Sequence, residues 1–169
     1  MRSSLHHIGI TVSNIDEAIR FYSAVSAGSA TGPLIKSGPA VEAVTGASGA
    51  QIAQAFVTPA GGGAVIELLE YRGAPGDPID PQPSRVGSCH AALIVADLDD
   101  ALARAATLGV APTSAPQVAT QGPLEGWRYV YLIGPDEVRL ELLEAPQPRE
   151  HSVPHCPSRP HPATSAMLA

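Results

Sequence analysis

The chain has 169 residues, 44% of them hydrophobic, and a formal net charge of −6 at pH 7. That length suits one domain, or two small modules sharing a core, and the apolar fraction excludes a wholly disordered chain. The acidic balance and the absence of any basic run argue against nucleic-acid or anionic-membrane partners.

No apolar stretch approaches a membrane span, and Met1 to Ser4 leads straight into a strand pattern without a signal peptide. Cys89 and Cys156 make no disulfide framework, so cytoplasm is the expected compartment.

Leu5 to Val12 alternates, with Ile8, Ile10 and Val12 on one face and His7, Gly9 and Thr11 on the other. Asn14 and Glu17 form a capping pattern, and Ile15, Ala18, Ile19 and Tyr22 give the helix that follows its buried stripe. From Ser26 to Gly49 the pattern is weak; one short strand near Leu34 to Lys36 is expected, with loops around it. Gln51 to Thr58 reads as a strand, Pro59 to Gly63 as a turn, and Ala64 to Tyr71 as a strand with Glu67, Leu69 and Tyr71 on one face. Four prolines between Arg72 and Arg85 mark a connector that could also rim a site.

The order then repeats. A strand over Ser88 to Ala96 places His90, Ala92 and Ile94 on one face, and puts Cys89 on the helix side as a buried small residue. His6, by the same parity, points away from His7. Asp97 caps a helix with the stripe Leu98, Ala101, Leu102 and Ala105, and Gly109 ends it. A weak strand near Val110 to Ser114, a loop from Ala115 to Gly126, a strand over Trp127 to Ile133, the turn Gly134-Pro135-Asp136 and a strand over Val138 to Glu144 complete the copy. Trp127, Tyr129 and Tyr131 read more safely as core than as a pocket mouth. From Pro146 onward the chain is rich in Pro, His and Ser and has no periodicity, so a disordered tail is expected.

The repetition is internal. His90 follows His7 by 83 residues, and at that offset Val12 meets Val95, Asp16 meets Asp99 and Ala18 meets Ala101. Glu141 follows Glu67 by 74 residues, within the echo Ile66-Glu67-Leu68-Leu69-Glu70 and Leu140-Glu141-Leu142-Leu143-Glu144. The fold class expected is therefore α+β: tandem βαβββ modules forming a cupped mixed sheet. Residues 1–145 make the domain, with module one at 5–72, a linker at 73–86 and module two at 87–145; residues 146–169 are the tail.

His7, Glu67, His90 and Glu141 each interrupt an apolar strand at duplicated positions. One such residue alone is more often a solvated strand residue than a ligand. Two imidazoles and two carboxylates related by a repeat suit one divalent metal on a pseudo-twofold axis, because buried carboxylates without a cation cost several kcal/mol each.

These pieces, with Phe21-Tyr22, Asp97-Leu98-Asp99 and the run Tyr131-Leu132-Ile133-Gly134-Pro135-Asp136, make the chain resemble the vicinal oxygen chelate superfamily from about Leu5 to Ala145. That superfamily includes glyoxalase I, methylmalonyl-CoA epimerase, extradiol dioxygenases and the fosfomycin and bleomycin resistance proteins. The His, Glu, His, Glu set is similar to the glyoxalase and epimerase branch. The resemblance implies a lyase or isomerase with one divalent ion (Zn, Ni, Co or Mn) and a small-molecule substrate. In that branch the metal polarises a carbonyl while a carboxylate moves the neighbouring proton.

On this reading His7, Glu67, His90 and Glu141 hold the metal, and Glu67 or Glu141 is the catalytic base, with Glu42 next in line. Family members often form homodimers, and some complete the site across the dimer. A ligand-sequestering resistance protein and a ring-cleaving dioxygenase are the alternatives. The chain departs from its relatives at Thr11 and Tyr71, where bacterial glyoxalase I has arginine and asparagine; a glutathione adduct is therefore a poor substrate candidate. It departs again at Gln54, where the methylmalonyl-CoA epimerase carries its glutamate base, and at Glu137, where the family turn has glycine. Arg139 shares a face with Glu141 and could hold a substrate carboxylate; an edge-strand arginine with no such role is at least as good a reading.

Overall fold

The computed structural model describes residues 3–73 and 75–147. The sequence-expected tail therefore lies almost wholly outside the described residues. Module one runs β1 (His7–Thr11), α1 (Ile15–Val25), β2 (Ser29–Lys36), α2 (Pro39–Thr45), β3 (Ile52–Thr58) and β4 (Val65–Tyr71). Module two runs β5 (Ala91–Ile94), α3 (Leu98–Ala106), β6 (Gln117–Val118), β7 (Arg128–Ile133), a 3-10 turn over Pro135–Glu137 and β8 (Arg139–Glu144).

The two long helices start where the sequence says they should. The Asn14 side chain accepts the backbone N–H groups of Asp16 and Glu17, both at 3.1 Å, and Asp97 accepts that of Asp100 at 2.9 Å. Each cap satisfies N–H groups that the first helical turn leaves without partners. Behind the caps, Ile15, Ala18, Phe21, Tyr22 and Val25 bury one face of α1, and Leu98, Ala101 and Ala105 one face of α3. After α3 the chain turns back at Gly109 (φ +76°), where the N–H of Val110 bonds to Ala105 and that of Gly109 to Ala106. This reversal needs the left-handed conformation that glycine adopts without strain.

Each module forms its own four-stranded mixed sheet, in the orders β1-β4-β3-β2 and β5-β8-β7-β6. The outer pairs β1/β4 and β5/β8 are parallel and the remaining pairs antiparallel. The two sheets share no strand pairing, so β1 and β5 are both edge strands.

The modules meet through their helices. Arg104 of α3 donates to the backbone oxygens of Ala24 (2.6 Å) and Val25 (3.2 Å), bringing its cation to the C-terminus of α1. Phe21 packs against the turn before β8 so closely that a Cβ on Gly134 would stand 2.6 Å from its ring. Asp136 accepts the backbone N–H of Ser13 at 2.9 Å. One core therefore runs through both modules, from Ile10 and Ile66 to Leu132 and Leu142.

Three expectations are corrected. The weakly patterned 26–49 segment contains the helix α2 beside a strand of eight residues. The signal was present: Pro39 stands at the first helical position and Gly46 (φ +71°) at the end, but no residue of α2 is buried, so no apolar stripe announced it. The strand expected near Val110 to Ser114 is reduced to a single bridge between Pro112 and Leu132. The two-residue strand β6 lies further on, at Gln117–Val118, within the expected loop; proline cannot donate to a ladder, so pairing does not extend through residue 112.

Candidate metal centre

The four residues singled out by the repeat form two matched pairs. In module one, His7 opens β1 and Glu67 lies on the parallel neighbour β4, with His7 abreast of Val65 and Gly9 abreast of Glu67. In module two, Ala92 is abreast of Glu141, and His90 stands just before β5. Strand parity puts histidine and glutamate on one face in each case. The residues facing the glutamates are Gly9 and Ala92, the smallest available, so the space between the pair stays open.

His7 Nε2 lies 3.2 Å from Glu67 Oε2, and His90 Nε2 lies 3.2 Å from Glu141 Oε2. The carboxylates are largely covered, at 13% and 16% side-chain exposure, whereas the imidazoles are open at 41% and 40%. Two donors about 2.1 Å from one ion, at an angle near 100°, stand about 3.2 Å apart. Each pair thus has the spacing of two neighbouring ligands. Within a single chain the two pairs stay apart: among the described residues no three His, Cys, Asp or Glu side chains gather tightly enough to hold an ion. The described residues thus present two separate His–Glu pairs.

The two pairs differ in their surroundings. In module one, Gln54 Nε2 donates to Glu67 Oε1, and His6 Nδ1 lies 2.8 Å from His7 Nδ1. His6 therefore does not point away from His7 as parity suggested; it precedes β1, where alternation no longer applies. One of the two Nδ1 atoms carries the proton. When it is that of His7, the Nε2 lone pair faces the Glu67 carboxylate, an arrangement that a cation between them relieves.

In module two the aromatic beside the histidine is Tyr131, edge-on at 5.2 Å between centroids, where module one has Phe56 at 6.4 Å. The Tyr131 hydroxyl lies 3.4 Å from His90 Nε2. Burial, and then the Glu141 carboxylate, push the Tyr131 phenol up from its ordinary range, so it stays protonated at neutral pH.

Two cavities border module two. One of about 390 Å³ is lined by Trp127, Tyr129 and Glu141. The other, of about 610 Å³, is lined by Tyr71, Pro78, Cys89, His90 and Arg139. The proline connector does rim this second cavity. The aromatic trio is corrected: Trp127 and Tyr129 line a cavity and Tyr131 touches His90, and none is in the core. Cys89 is corrected too, being exposed rather than buried, because β5 begins only at Ala91. Glu42 sits on α2 and lines neither cavity.

Residues 6–131 match the family model of the Glyoxalase/Bleomycin resistance protein/Dioxygenase superfamily. The chain belongs to that superfamily. A 2-epi-5-epi-valiolone epimerase from Actinomyces sp. is 30% identical over 152 residues, covering 85% of this chain and 80% of the relative. Among solved structures, a glyoxalase family protein from Bacillus cereus superposes with a TM-score of 0.71 at 20% identity, covering 86% of this chain and 96% of that one. A fosfomycin resistance protein from Listeria monocytogenes superposes with a TM-score of 0.54 at 20% identity, covering 86% and 93%. At such identities the structures establish the superfamily fold alone.

Proposed function

We propose that this superfamily member is an epimerase-like isomerase acting on a small carbonyl compound, with His7, Glu67, His90 and Glu141 as the ligands of one divalent metal ion. The observation that carries the reading is the duplication of a His–Glu pair at the same 3.2 Å spacing on equivalent strands. The epimerase relative supports the reaction class.

Because each chain offers two half-sites, the complete set of four forms when the His7–Glu67 pair of one copy meets the His90–Glu141 pair of a second. The edge strands β1 and β5 are where the copies meet. A divalent ion held by these four residues would supply Lewis-acid polarisation of a substrate carbonyl.

The residues divide the remaining work. Glu67 is held by Gln54 as well as by His7, so it is the fixed carboxylate. Among the described residues Glu141 has only His90 as a close polar partner, so it is the one free to swing and take the proton. The Tyr131 phenol, protonated and beside His90, is placed to donate a hydrogen bond to a substrate oxygen.

Glu141→Gln and Glu67→Gln variants, assayed for solvent deuterium exchange into candidate ketones and oxoacids, test the assignment. Loss of exchange in Glu141→Gln with metal retained is the expected result; full exchange in both variants refutes it. A metal-free protein that binds the same compounds without exchange would favour ligand sequestration.

A further inference from the structure

The pseudo-symmetry of the half-sites is broken at one more position. His7 is abreast of Val65 on β4. In module two the register that pairs Ala91 with Leu140 puts His90 abreast of Arg139. An apolar residue in one half-site thus corresponds to a permanent cation in the other.

Arg139 has no carboxylate partner among the described residues: Arg72, Arg85, Arg104 and Arg128 are in ion pairs, and Arg139 is not. Its Nε is buried without a hydrogen-bond partner among the described residues. Its guanidinium carbon lies 5.5 Å from the centroid of the Tyr131 ring, the same ring that stands edge-on to His90. With His90 it lines the 610 Å³ cavity. A buried N–H left without a partner is costly, and a guanidinium stacked on an aromatic face has its fork orientation set in advance.

We propose that Arg139 anchors a carboxylate of the substrate, so that the protein acts on small keto acids. This deepens the isomerase reading and rests on it for the reacting carbon, though the anion site itself requires neither metal nor turnover. Arg139 takes the carboxylate through its Nη atoms, beside His90 at the 610 Å³ cavity.

Glu70, Asp77, Asp136 and Glu137 also line the cavity. Glu70 is paired with Arg72, and Asp136 accepts the Ser13 N–H. The surplus of negative charge disfavours a phosphate dianion more than a carboxylate monoanion.

The test uses the full-length chain in metal-free buffer, with pyruvate, hydroxyacetone and inorganic phosphate as probes and the His90 imidazole NMR signals as readout. Saturable pyruvate binding is expected, weakened about tenfold or more in Arg139→Gln and to a lesser degree in Arg139→Lys, which keeps charge but loses the fork. Thermal midpoints of both variants control for folding, and the lysine variant stands if the glutamine variant fails to fold. Equal pyruvate binding by wild type and variants, no pyruvate binding, or hydroxyacetone binding as tightly as pyruvate overturns the proposal; phosphate binding more tightly overturns the choice of carboxylate. Pyruvate binding that depends on Arg139, in a protein that exchanges no carbon-bound proton once metal is added, keeps the anchor and refutes the isomerase reading instead.

Discussion

If the metal centre closes between two copies, half-site variants should complement each other. One variant, His7→Ala/Glu67→Ala, removes both donors of module one; the other, His90→Ala/Glu141→Ala, removes both donors of module two. In a symmetric dimer of either variant every site keeps two of four ligands. Its metal affinity should then fall by more than the 10–100-fold that lost outer-sphere contacts typically cost.

Mixed dimers behave differently. One of their two sites receives both intact halves and the other receives both damaged halves. Random reassociation of equal amounts makes about half the dimers mixed, so metal content should recover to about one quarter of the wild-type value. The assay is metal analysis of the dimer fraction after unfolding and co-refolding the two variants, with each variant refolded alone as control. A site closed within one chain predicts no recovery, since neither chain would hold an intact set. No recovery from variants that refold and associate normally would refute the two-copy site. A wild-type protein without affinity for any divalent ion would refute the metal reading as a whole.

Further predictions concern the frame that holds the half-sites. Phe21→Ala empties a buried position at the contact between modules and should cost about 3–5 kcal/mol in denaturant unfolding; Gly134→Ala forces the Phe21 ring to move and should cost about 1–3 kcal/mol. Glu70 accepts the N–H of Ile15 and pairs with Arg72, and its carboxyl is held below the ordinary value of 4.5 by Arg72 first and Ile15 after it. A lowered folded-state pKa stabilises the protein above pH 4.5, and that stability fades as pH falls through the folded-state value. Glu70→Gln should therefore lower the thermal midpoint at pH 7, and the gap from wild type should close on acidification below about pH 4.5; a gap that stays constant refutes the linkage. Truncation after Gln147 should leave metal content and thermal midpoint unchanged, because the segment beyond has no periodic apolar face; a loss of several degrees would show that it docks.

The repeat determined most of what could be read without coordinates. Duplicated caps at Asn14 and Asp97, duplicated stripes and the echoed Ile-Glu-Leu-Leu-Glu run are local patterns, and local patterns survive in one dimension. They yielded the α+β modules, the helices and the face on which each histidine and glutamate lies. The α2 helix escaped because an element that buries nothing carries no apolar period. Cys89 and His6 were misplaced because parity was carried past the ends of real strands.

Tertiary structure decided the rest. Whether four equivalent residues meet depends on how two modules dock, and docking is set by contacts distant in sequence: Phe21 on Gly134, Arg104 on the end of α1, Asp136 on Ser13. Those contacts bring the helices together and leave the sheets unjoined, so the chain carries two His–Glu pairs rather than one cluster. The asymmetry between the pairs, with Gln54 and His6 on one side and Tyr131 and Arg139 on the other, likewise depends on strand register. No spacing along the chain encodes a register; only the paired sheet does.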